Sequence, residues 1–217
     1  MKKIRILCYG DSNTWGFIPG TDHQRYSEKE RWPKVLASIL GSNYEIIEEG
    51  LNSRTLTSND TRPGKEGRSG YQYLIPCLDS HDPLDLVIIM LGTNELKVAY
   101  NKTPIEVGEL LEEYFVKTII NHKSQCGDTY PKLLIIAPPL IKETGKYRDE
   151  DNIYLGAPRK SLELDSIYQT IANKYNCYFL SNKGLDTGVD GVHLTKDSHR
   201  KLAKRISEIV IELNLNK

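Results

Sequence analysis

The sequence predicts an α/β fold, a single domain in which a five-stranded parallel sheet is wound with helices on both faces as a three-layer sandwich. Two observations carry this. Short apolar runs recur along the chain and are nearly continuous rather than alternating, which is what a parallel strand covered on both faces needs. Helix-like segments separate them, and a chain that alternates strand and helix closes into a doubly wound sheet with right-handed crossovers. The length, 217 residues, suffices for one full two-sided core and is short for two, so residues 1–217 are read as one domain.

In chain order, the first strand is IRILCY (4–9) and the first helix-like segment SEKERWPKVLASIL (27–40), with Trp32 facing the core. YEIIEE (44–49) is the second strand, followed by helix YQYLIPCLDS (71–80) and strand LDLVIIML (84–91). Thr103, Pro104 and Glu106 signal the start of the helix TPIEVGELLEEYFVKTIINHK (103–123), Pro occupying a first-turn position whose N–H has no helical partner. Strand KLLIIAP (132–138), helix 157–175, the weaker strand CYFL (177–180) and a last helix from Thr195 to about residue 214 complete the pattern. Two polar loops, 52–70 and 140–156, are long enough to serve as site walls, lids or contact surfaces. The second carries Leu140, Ile141, Tyr147, Ile153, Tyr154 and Leu155; it is read as a self-association surface that also narrows the site.

Lys plus Arg and Asp plus Glu each number 29, for zero formal net charge, which argues against a nucleic-acid or polybasic membrane surface. No apolar run approaches the roughly 18 residues of a membrane span, and the first residues turn polar too soon for a signal peptide. A cytoplasmic protein without a membrane partner is expected. The cysteines at 8, 77, 126 and 177 are far apart, without metal-ligand spacing, and read as free thiols; no cofactor and no metal are expected.

Sheets of this kind place ligands beyond the carboxyl ends of strands, where strand order reverses. Four segments fall there. Gly10-Asp11-Ser12 follows the first strand, and its glycine permits a tight turn that exposes the serine hydroxyl. EEGLNSRT (48–55) follows the second and offers backbone N–H groups. GTNE (92–95) follows the third; Gly92 lets the chain turn and Asn94 offers an amide donor to a developing oxyanion. Asp190 and His193, three apart in GVDGVHLT (188–195), can supply the base a serine nucleophile needs and the acid that orients that base; the same spacing fits a surface turn or a metal pair, with Asp11 as a further ligand, though third and fourth ligands are missing. Asp11 reads mainly as a turn cap, and Trp15 as a wall of an acyl pocket. Arg54 and Lys97 stand near the oxyanion blocks, while His23, His81, His122 and His199 read as surface or packing residues.

These four segments, in order and spanning the chain, resemble the four signature blocks of the SGNH, or GDSL-type, hydrolases. GDSNTWG (10–16) and LDLVIIMLGTN (84–94) are similar to the arylesterase and acyltransferase branch, whose members often form large homo-oligomers. The resemblance implies a flavodoxin-like sandwich and a serine esterase acting on short-chain acyl or aryl esters. It makes Ser12 the nucleophile, His193 the base and Asp190 its partner, with Ser12, Ser53 and Asn94 as oxyanion donors and Asp11, Trp15 and Gly92 at the substrate. The substrates it implies are a small ester and a water or alcohol acceptor. The chain departs from the family at Ser53, where glycine is usual, and at Glu95, where aspartate is usual. A carbohydrate O-deacetylase and a non-catalytic flavodoxin-like binding module are the alternatives; the second lacks any glycine-rich phosphate loop.

Overall fold

In the computed structural model, which describes residues 3–215, five parallel strands form one sheet in the order β2-β1-β3-β4-β5. They are β1 (Ile4–Gly10), β2 (Tyr44–Gly50), β3 (Leu86–Met90), β4 (Lys132–Ile136) and β5 (Tyr178–Leu180). The short helix α1 (Ser12–Trp15) follows β1, then α2 (Trp32–Leu40) and α3 (Gly70–Ser80). Helix α4 (Pro104–Leu111) runs through a π-helical turn (Glu112–Val116) into α5 (Lys117–Ile120). The rest are α6 (Lys146–Asp149), α7 (Ala157–Lys174) and α8 (Lys196–Glu212). The expected sandwich, its five strands and its major helices are all present.

Because successive strand side chains point to opposite faces, each apolar run feeds two cores. Leu7, Tyr9, Val87, Ile89, Leu133 and Ile135 pack with Leu74, Leu111, Phe115 and Tyr168 on the side of α3, α4 and α7. Ile6, Cys8, Ile88, Met90, Leu134 and Ile136 pack with Trp32, Leu36, Leu202 and Ile206 on the side of α2 and α8. Trp32 is fully buried, as expected. Helix α2 begins at Trp32 rather than at Ser27: Pro33 lies in its first turn, where a missing N–H costs no helical bond, and the Ser27 hydroxyl is tied to Glu30 in a separate turn (2.6 Å).

The chain leaves β1 to pair β2 on one side and returns to place β3 on the other, so strand order reverses between β2 and β3 across β1. The carboxyl ends of these three strands frame the crevice where such sheets hold ligands. Close approach is built into them. A Cβ on Gly50 would meet the Trp15 backbone N at 2.3 Å, so only glycine lets the end of β2 lie against α1. No described helix is long and apolar enough to cross a membrane.

Candidate active site

Ser12 is the first residue of α1, whose N-cap is Asp11; the Asp11 carboxylate accepts the Asn13 N–H at 2.9 Å. Ser12 Oγ lies 2.9 Å from His193 Nε2, and His193 Nδ1 lies 2.8 Å from Asp190 Oδ2. The other Asp190 oxygen accepts the backbone N–H groups of Val192 and His193, each at 3.0 Å. The carboxylate thus folds back onto its own loop and presents one oxygen to the imidazole. All three side chains are buried.

The imidazole is held by its faces as well. Phe17 stacks on it with centroids 4.2 Å apart, and Tyr147 meets it edge-on at 5.9 Å. Asn13 ties the two loops together across 181 residues of sequence: its side-chain oxygen accepts the Leu194 N–H at 2.8 Å.

Opposite the imidazole stand the expected donors. Among the described residues, neither the Ser12 nor the Ser53 backbone N–H meets a protein acceptor. Ser53 has φ of 66°, a left-handed conformation that costs an L side chain roughly 1–2 kcal/mol and that glycine adopts freely. The serine at this glycine-favouring position keeps both the turn and its N–H. Asn94 Nδ2 donates to the Arg54 carbonyl at 2.9 Å and reaches Asp11 only at 3.4 Å. The Tyr154 hydroxyl donates to Asn94 Oδ1 at 3.2 Å, which fixes the orientation of the amide.

Ser12, Ser53, Asn94 and His193 line a cavity of about 160 Å³ whose other walls include Phe17, Arg62, Lys97, Tyr147, Ile153 and Tyr154. Asp11, Trp15 and Gly92 are not part of its lining. Asp11 is buried as the α1 cap. Gly92, with φ of 120°, allows Tyr168 to approach; a Cβ there would sit 2.2 Å from its hydroxyl. Trp15 turns toward Arg25, whose guanidinium lies 5.0 Å from its ring, and the aromatic wall is Phe17 instead. His23 stands at the rim, edge-on to Phe17 at 5.7 Å. The metal alternative for Asp11, Asp190 and His193 has no geometric support: their ligand atoms do not form a converging group, the one such trio among the described residues being Glu49, Cys77 and His81.

Arg54 is structural, its guanidinium over the Tyr9 ring at 4.1 Å and donating to the Gly10 carbonyl. His199 is a packing residue, accepting the Trp32 N–H. Glu95 is buried, and its Oε1 accepts the Leu56 N–H, which anchors the segment carrying Ser53 to the block after β3. The loop 140–156 turns its apolar side chains inward: Ile141 and Tyr154 are buried, Tyr147 and Ile153 line the cavity, and Leu155 remains exposed.

Asp190 is held down at about 2; burial opposes this, and the hydrogen bond and charge of His193 with two backbone N–H groups outweigh it. Burial raises Asp11 to about 6 and Glu95 to about 7, and lowers Lys97 to about 8 with help from Arg62. The sequence points to the strand-end residues and to the loop of Tyr147 as one that narrows the site, but not to Asn13, Phe17 or Arg62, whose roles depend on how distant loops dock.

A serine at the start of α1, just past the end of β1, is joined to an imidazole and a carboxylate, and the chain that carries them matches known proteins. The profile of the GDSL-like lipase/acylhydrolase family matches residues 8–201, and the chain belongs to that family. It is a carboxylic ester hydrolase of the SGNH type. The structure is similar to that of an aryl esterase from M. smegmatis, at 36% identity and TM-score 0.87, covering 97% of this chain and 99% of the other. It is also similar to a carbohydrate acetylesterase from Sinorhizobium meliloti, at 34% identity and TM-score 0.88, covering 97% and 100%. A lipase/acylhydrolase from Enterococcus faecalis, at 16% identity and TM-score 0.67 over 95% of both chains, shares the fold alone. No curated protein matches the chain.

Proposed function

We propose that the enzyme cleaves esters of short acyl groups through an acyl-enzyme on Ser12, with water or a small alcohol as the acceptor. The observation that carries this is the continuous relay from Ser12 to His193 to Asp190, at 2.9 and 2.8 Å, opening onto a small cavity. His193 Nε2 takes the Ser12 proton as Oγ attacks the ester carbonyl, and Asp190 stabilises the imidazolium that forms. The carbonyl oxygen gains its negative charge between the N–H groups of Ser12 and Ser53 and the Asn94 amide, whose long contact to Asp11 is the one readily exchanged for the oxyanion. His193 then gives the proton to the departing alcohol. Water or a second alcohol, deprotonated by the same nitrogen, attacks the acyl-enzyme and frees Ser12.

The cavity of about 160 Å³ suits an acyl chain of few carbons. Two similar chains are named as an aryl esterase and a carbohydrate acetylesterase, which supports small aryl esters and acetylated sugars as the first substrates to try. Release of 4-nitrophenol from acetate, butyrate and octanoate esters tests the reading. Wild type should favour the short chains, and Ser12→Ala should lose on the order of 10⁴-fold or more in kcat. Added alcohol separates transfer from hydrolysis by the yield of the new ester. Equal inertness of both proteins on nitrophenyl esters and on acetylated xylose would refute the proposal.

A further inference from the structure

Lys97 is almost wholly buried, 7% exposed, yet it lines the cavity. Among the described residues its ammonium makes no hydrogen bond and no ion pair; it stands over the face of Tyr154, 6.0 Å from the ring centroid. The stem is buried while Nζ, which is not among the sealed polar atoms, opens onto the cavity where a ligand arrives. The surrounding carboxylates do not answer it directly. Asp60 is engaged by Arg62 through Nε at 2.9 Å, Glu95 accepts the Leu56 N–H, and Asp11 caps α1.

The rest of the lining has the same sign. Arg62 and Lys65 join Lys97 there, and no Asp or Glu lines the cavity. The formal net charge of the chain is zero, so this is a local arrangement and not a consequence of composition.

Two of the cations, Lys97 and Arg62, can be placed against the oxyanion donors. An ester's alcohol must leave beside His193 Nε2, which returns the proton to it. That imidazole is flanked by Phe17 and Tyr147, so the alcohol lies between aromatic walls. The carbonyl oxygen lies toward Ser53 and Asn94. Lys97 follows Asn94 by one helical turn and sits over Tyr154, whose hydroxyl bonds Asn94. Arg62 reaches Ser53 Oγ at 3.4 Å. Lys97 and Arg62 therefore border the oxyanion donors, and an acyl chain running past those donors meets them.

We infer that this lining is an anion subsite in which Lys97, with Arg62 and Lys65, receives a carboxylate carried by the acyl group, so that the preferred substrates are half-esters of short dicarboxylic acids. This rests on the esterase reading above and adds the charge of the acyl group to it. A carboxylate at Lys97 supplies a charge-assisted hydrogen bond that no described protein group gives the ammonium, and a bond to a charged group is worth about 10- to 100-fold in affinity.

The test compares monoethyl succinate with ethyl succinamate, in which an amide replaces the carboxylate at equal size, for wild type, Lys97→Met and Lys97→Arg. 4-Nitrophenyl acetate serves as the common reference. Wild type should prefer the succinate half-ester by on the order of 10-fold or more in kcat/KM, chiefly through KM. Lys97→Met should bring the ratio toward one, and Lys97→Arg should restore part of it. A wild type that cleaves 4-nitrophenyl acetate but treats the two ethyl esters alike would overturn the anion subsite and leave the esterase reading standing. Equal losses on both esters in Lys97→Met would also overturn it, by assigning the charge to the oxyanion. A preference seen only when the carboxylate is on the alcohol, as in acetoxyacetate against its amide, would refute the acyl placement. Wild type inert on all of these esters would remove the esterase reading and this inference together.

Discussion

At the scale of single residues, Glu95 shows how a buried carboxyl group can be retained for its geometry at an electrostatic cost. Its Oε1 accepts the Leu56 N–H, while Oε2 has no partner among the described residues. Burial, with the charge of Asp11 adding to it, outweighs the Leu56 hydrogen bond and Lys97, and raises the group from 4.5 to about 7. A folded-state value above the unfolded one means that the fold binds the proton more tightly. The stabilisation is then fully present below about pH 4.5 and is lost as pH rises through 7. Glu95→Gln keeps an acceptor for Leu56 and removes the titration. The melting temperature of the variant, taken relative to wild type, should therefore increase between pH 5 and pH 8. A difference that stays constant across that range would show that Glu95 is ionised throughout in the fold.

At the scale of elements, the relay depends on two loops from opposite ends of the chain, and Asn13 joins them. Its oxygen holds the Leu194 N–H at 2.8 Å, and its amide reaches the Val192 carbonyl at 3.4 Å. Asn13→Ala leaves a buried N–H unsatisfied, a cost of about 1–3 kcal/mol, and releases the backbone that carries His193. We expect kcat on 4-nitrophenyl acetate to fall by about 10- to 100-fold with a smaller change in KM, since a misplaced base slows chemistry more than binding. A variant as active as wild type would show that the bonds of Asp190 to its own loop suffice to place His193. The strands were legible in the sequence because a strand covered on both faces has to be apolar at nearly every position, as IRILC and LVIIM are. Ser12, Ser53, Asn94, Asp190 and His193 were legible for a related reason: each falls just past a strand or ahead of a helix, where side chains converge whatever the loops do. Trp15 and Phe17 show where this stops. Gly16, with φ of 92°, ends α1 and reverses the chain, so the ring two residues later faces His193 and the nearer one does not. Nothing local in GDSNTWGF separates those outcomes, and the composition of the loop 140–156, which points to a narrowed site, does not tell which of its apolar residues stays outside.

At the scale of the whole molecule, Val189, Ile211 and Tyr130 are exposed singly, whereas four other exposed apolar side chains fall on neighbouring segments. Val98, Ile105, Leu155 and Leu162 are each more than half exposed. They belong to neighbouring segments: the Val98 N–H donates to the Ile153 carbonyl, Lys160 Nζ reaches the Lys102 carbonyl, and α4 packs on α7. Leu155 is the one apolar residue that the loop 140–156 leaves outside, and Ile153 beside it lines the cavity. We propose that any self-association of the chain uses this wider face rather than the loop 140–156 alone. Apolar side chains gathered in this way mark an interface more often than isolated ones do. Light scattering on the purified protein should give a mass that is a multiple of 24.7 kDa. Ile105→Glu with Leu162→Glu, both on helix surfaces and outside the core, should shift it to the monomer without lowering the melting temperature of the domain. Because Leu155 and the cavity wall share a loop, dissociation should also relax the preference for short acyl chains. A wild type that is monomeric at micromolar concentration would refute the association, and a dissociated variant with an unchanged acyl-chain profile would show that this domain shapes its own pocket.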